Sequence, residues 1–63
     1  METTRTEKRQ SGPTFPREQW AQDWKNQTVK LNEEGNYMLA SPWAKWTVEK
    51  RDGGWATFVE EQI

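Results

Sequence analysis

The sequence predicts an α+β fold, with a short N-terminal helix packed on one face of a four-stranded antiparallel meander built from two consecutive hairpins. Three observations predict it. Asp52-Gly53-Gly54 separates two runs rich in β-branched and aromatic residues, a strong hairpin signal. Trp20 and Trp24 stand at the i, i+4 spacing of one helix face. Thr28 to Asn32 alternates polar with apolar residues, and Asn36 to Ala40 follows behind a glycine-containing turn.

With 63 residues the chain makes one small domain. After Met1, residues 1–13 carry no apolar side chain. Such a segment buries too little surface to offset its ordering entropy, so it reads as a disordered tail before a single domain over 14–63. Its functional version is a short arm that touches an acidic partner through Arg5, Lys8 and Arg9.

Each later element has its own warrant. Thr14 can cap a helix whose first turn holds Pro16 and Glu18, and the pattern fades at Asn26-Gln27. The predicted helix therefore runs from Pro16 to Asn26, with Trp20 and Trp24 resting on the sheet. In the first hairpin, Glu33-Glu34-Gly35 is the turn, Leu31 faces Tyr37 and Val29 faces Leu39. Ser41-Pro42 then bends the chain, because proline cannot donate to a ladder and restricts its predecessor.

In the second hairpin a two-residue Asp52-Gly53 loop of type I′ sets Arg51 against Gly54, Lys50 against Trp55, Val48 against Thr57 and Trp46 against Val59. Trp46 is then buried and Phe58 points away from it, exposed. A three-residue loop, Arg51-Asp52-Gly53, would slip the register by one and set Phe58 beside Trp46 instead.

Chemistry is bounded by what is missing. The chain has no cysteine and no histidine, which removes thiol and imidazole catalysis, disulfides and conventional zinc sites. Glu33-Glu34 and Glu60-Glu61 read as solvated pairs, and Gly53-Gly54 lies in a hairpin turn, so neither suggests a catalytic pair or a phosphate cradle. No apolar run has the length of a membrane span. The expectation is a cytoplasmic, non-enzymatic chain with no cofactor and no metal.

Binding remains. The predicted core takes Trp20, Trp24, Val29, Leu31, Leu39, Trp46 and Val48, which leaves Met38, Trp43 and Phe58 as apolar anchors on an open sheet face, with Lys30, Lys45 and Glu49 around them. The expected partner is a larger protein or protein complex, occupied in the manner of a phage- or mobile-element-type inhibitor or adaptor, by a monomer or homodimer. The alternative is a nucleic-acid-binding domain that uses the aromatic and basic hairpin. Trp46-Thr47-Val48-Glu49-Lys50-Arg51-Asp52-Gly53-Gly54-Trp55 resembles the strand-turn-strand of the small DNA-binding domains, a three-stranded sheet with a helix, at the head of some tyrosine recombinases. That resemblance implies DNA contact through the hairpin and assigns no residue a role. Nucleic acid is disfavoured because acidic side chains outnumber basic ones from Thr14 onward, which opposes phosphate contacts.

Overall fold

A computed structural model describes residues 5–62. The elements are β1 (Thr6–Phe15), α1 (Glu18–Glu34), β2 (Lys45–Arg51) and β3 (Gly54–Gln62). The strands form one antiparallel sheet in the order β1-β3-β2, and α1 packs across one face. The class is α+β as expected, but the sheet has three strands, not four, and it is not a meander of two hairpins.

The β2–β3 hairpin adopts the two-residue register read from the sequence, from Arg51↔Gly54 through Trp46↔Val59 to Lys45↔Glu60. Its turn differs in type. Gly53 takes φ 89° and Gly54 φ 143°, whereas Asp52 keeps a negative φ, so the loop is not type I′. Gly54 is required for a second reason: a Cβ there would run into the carbonyl of Phe15 where β1 ends.

The predicted tail is overturned from Thr6 onward. Residues 6–15 form β1, which pairs with β3 as Lys8↔Glu60, Arg9↔Val59 and Gln10↔Phe58. Residues 1–4 of that tail, and Ile63 at the end of the expected domain, lie outside the described residues. The physical reason is that a ladder needs backbone groups, not apolar side chains. The second edge of β3 supplies them, and ion pairs hold the strand's own charges.

The predicted first hairpin is overturned as well. Residues 28–34 continue α1, and Glu33-Glu34-Gly35 is its C-terminus. The Gly35 N–H donates to Leu31 O at 2.9 Å and the Tyr37 N–H to Asn32 O at 2.7 Å. Positive φ falls on Asn36 and Tyr37, at 58° and 62°, rather than on Gly35. The N-terminus shifts too, since Arg17 is the N-cap residue and no side chain caps the helix, Thr14 included. The predicted helix is thus present but longer, and its second half escaped sequence reading because the residues it buries there are Thr28 and Asn32, polar side chains with no hydrophobic periodicity.

Thr57 faces α1 and its Oγ1 donates to Ala21 O at 3.0 Å, both groups being buried. Val59 shares that face. Trp46 and Val48, on the same rows, are half-buried rather than enclosed. Among the described residues the buried apolar set is small: Ala21, Ala40, Ala56, Phe58 and Val59. Phe58 is the second correction to the hairpin reading. It does point away from Trp46, yet it is only 9% exposed.

Candidate interaction surface

Large apolar side chains gather outside this core, on α1 and on the segment after it. Trp20, Trp24 and Leu31 sit at i, i+4 and i+11, within about 40° of one another around the helix. Ala21, Thr28 and Asn32 face the sheet roughly a quarter-turn away. The larger stripe therefore flanks the buried one. Trp24 is fixed there, because its indole N–H donates to Ser11 O at 2.9 Å. Its ring lies 6.0 Å from that of Phe15, tilted by 49°. Trp20 is 49% exposed, and the Arg17 guanidinium stands 5.9 Å over its ring.

Residues 36–44 connect α1 to β2 and are pinned by two polar clasps. Asn32 supplies the first: its Oδ1 accepts from the N–H groups of Leu39 and Ala40, at 2.9 and 3.0 Å, and its Nδ2 donates to Ala40 O at 3.0 Å. Glu61 supplies the second. Its carboxylate accepts from the Ser41 N–H at 2.9 Å, the Ser41 hydroxyl at 2.8 Å and Arg9 at 2.8 Å. Those donors, the Ser41 backbone first, hold the Glu61 carboxyl at a pKa of about 2. Arg9 also donates to Leu39 O at 2.9 Å. With the backbone of 39–41 tied down, Tyr37, Met38, Leu39 and Trp43 still project into solvent, Met38 at 87% and Trp43 at 65% exposed. The side chains are open on a held frame.

The sheet face away from α1 is covered by charge rather than open to a ligand. Glu49 pairs with Lys8 from β1 and, at 2.8 Å, with Arg51. Hydrogen bonds from Lys8 and then Arg51 bring the Glu49 carboxyl down to about 2. Below this lattice lies Phe58, with Lys8 Nζ 5.4 Å and Arg51 Cζ 4.4 Å from the ring centroid. At one end of the same face, Trp43, Lys45, Thr6 and Glu60 line a cleft of about 200 Å³.

The six residues singled out from the sequence are thus divided. Trp43 and Lys45 meet at the cleft. Met38 is exposed beside them in sequence but on the held segment after α1, and Lys30 is exposed on the helix. Phe58 is roofed over, and Glu49 is occupied by its two cations. Sequence reasoning missed Trp20, Trp24, Leu31 and Leu39 as surface residues because it spent them on the core. The signal was present in the numbering: on a helix reaching Glu34, Leu31 falls on the Trp20–Trp24 stripe.

Among the described residues no three histidine, cysteine, aspartate or glutamate side chains gather to hold a metal ion. No described helix is long and apolar enough to cross a membrane. No family model, curated protein or solved structure matches this chain.

Proposed function

We propose that the protein is a non-enzymatic binding module that docks on a larger protein through the apolar rim of α1 and residues 36–44. The observation that carries this reading is the inversion of large and small apolar residues. Among the described residues three of the five buried apolar ones are alanines, while Trp20, Leu31, Met38, Leu39 and Trp43 stand in solvent. So many large apolar side chains in solvent, while alanines fill the core, favour an interaction surface over a bare one. Tryptophan and tyrosine dominate the energetics of such sites. The clasps of Asn32 and Glu61 lower the ordering entropy that a bound segment would otherwise lose. An inhibitor or adaptor of phage or mobile-element type, acting in the cytoplasm where a cysteine-free chain has nothing to lose to a reducing poise, fits this design.

Nucleic acid is the weaker reading. Stacking on the sheet would need an open aromatic face, and Phe58 lies under Lys8 and Arg51, whose charges are taken by Glu49. The test is affinity capture from the native cell followed by titration of the purified partner. Trp43→Ala and Met38→Ala should each stay folded and weaken binding by about thirtyfold, as loss of a hot spot of ~2 kcal/mol does. Binding of nucleic acid with a steep salt dependence, indifferent to both substitutions, would overturn the proposal.

A further inference from the structure

We propose that the outer edge of β2 pairs with the same edge of a second copy, joining two three-stranded sheets into a continuous sheet of six. The two edges of the sheet are unequal. On β1 the edge is broken by Gly12 at φ 86°, by Pro13, which has no N–H, and by a register shift between Ser11 and Phe15. On β2 it runs from Lys45 to Arg51 without glycine, proline or bulge. Among the described residues no backbone group outside the sheet bonds to β2. An uninterrupted edge of this kind is a template for another strand.

The register follows from the ladder. Residues flanking a two-residue loop exchange both bonds, so Arg51, Glu49, Thr47 and Lys45 turn their backbone groups toward β3. Trp46, Val48 and Lys50 turn theirs outward. A two-fold axis at Thr47 sets Trp46 against Val48 of the second copy, twice, and these outward residues can exchange both bonds. It also sets Lys45 against the other copy's Glu49, twice, and Thr47 against Thr47. Aromatic against β-branched, opposite charges, and threonine against threonine are the favourable cross-strand pairs.

Neighbouring registers lose this match. An axis at Val48 opposes Lys45 to Arg51, and one at Glu49 opposes the two Glu49 carboxylates. An axis at Trp46 leaves little strand to overlap. Lys45 is free to pair, since among the described residues it is in no ion pair; Glu49 already holds Lys8 and Arg51 and would take the second copy's Lys45 as a third cation at its remaining acceptor position. This surface meets the apolar rim where Lys45 and Trp43 line one cleft; cross-linking at Thr47 reads the dimer and Met38→Ala reads the docking of a larger protein, so the two can fail independently.

The chain has no cysteine of its own, which makes single-cysteine cross-linking diagnostic. Facing Cβ atoms in such a pair lie about 4.5–5.5 Å apart. Thr47→Cys should therefore form a disulfide-linked dimer under mild oxidation. Lys45→Cys should do so at least about tenfold more slowly, since its two copies lie four rows, roughly 13 Å, apart. Lys45→Cys mixed with Glu49→Cys should link only as the mixed pair, a readout that stands even if Thr47→Cys folds poorly. Sedimentation of the unmodified protein should show a concentration-dependent dimer that Lys45→Glu returns to monomer. A protein that stays monomeric at all concentrations, or cross-links equally at positions 45 and 47, would overturn the proposal.

Discussion

Asn32→Ala isolates the clasp that holds residues 39 and 40 against the helix. Asn32 is 3% exposed and engages the N–H of Leu39 and both backbone groups of Ala40. Leu39 is near solvent, so its N–H can be rehydrated after truncation. Ala40 is buried, so its N–H and C=O are left without partners. A buried polar group stranded in this way costs about 1–3 kcal/mol, so two cost about 2–6 kcal/mol. A domain of this length holds only ~3–5 kcal/mol in total. Asn32→Ala should therefore shift the urea midpoint, followed by tryptophan fluorescence, to the edge of measurable folding.

Asn32→Asp sharpens the test. It keeps the acceptor for Leu39 and Ala40 but replaces the amide donor with an oxygen facing Ala40 O. Ionised, the new carboxylate repels that carbonyl; protonated, it can donate to it. Burial and the facing Ala40 carbonyl outweigh the lowering pull of the Leu39 and Ala40 N–H groups, so its folded pKa is raised above the ordinary value of about 3.9. Stability tied to a raised pKa is fully present below the unfolded value and lost as pH rises through the folded one. The deficit of Asn32→Asp relative to wild type should thus be small near pH 4 and full at pH 7. An unchanged midpoint for Asn32→Ala, or a deficit of Asn32→Asp that ignores pH, would refute this account of the clasp.

Three further outcomes follow from other contacts. Phe58→Ala should destabilise by about 3–5 kcal/mol in denaturant titrations, as a buried aromatic does; a loss below about 1 kcal/mol would mean that the Lys8–Glu49–Arg51 roof does not close over it in solution. Gly12→Ala should move the Trp24 emission to the red and lower the midpoint, since a Cβ at position 12 meets the indole and the backbone there has φ 86°; an unchanged spectrum counts against the Trp24–Ser11 contact. The carboxyls of Glu49 and Glu61, both lowered to about 2, add stability that is present above their unfolded pKa and lost as pH falls toward 2. Midpoints measured from pH 6 down to 2 should show that fall, and Glu61→Gln should flatten it.

What the sequence revealed follows the physics of each element. The β2–β3 register was legible because Asp52-Gly53 loop chemistry and apolar alternation point the same way. β1 was not, because Thr6 to Thr14 has no apolar residue to alternate and is ordered by its ladder and by Lys8 and Arg9. The second half of α1 was hidden for the opposite reason. Thr28-Val29-Lys30-Leu31 alternates like a strand, while the residues that actually pack are Thr28 and Asn32. The exposure of Met38 and Trp43 was found by subtraction from the core. That of Phe58 was misjudged because part of its cover arrives from Lys8, in the segment read as a tail.

The strand order has a consequence for the path of folding. β3 lies between its neighbours in space, but β2 is joined to it by a tight turn whereas β1 pairs from the far end of the chain, Thr6 against Gln62. Closing a loop that spans nearly the whole sequence costs far more entropy than closing the hairpin. The hairpin can therefore form early, while β1 must wait until the last strand is available, and its docking sets the pace. The same asymmetry bears on the order of opening: native-state hydrogen exchange should find the amides of β1 opening ahead of those that β2 and β3 share.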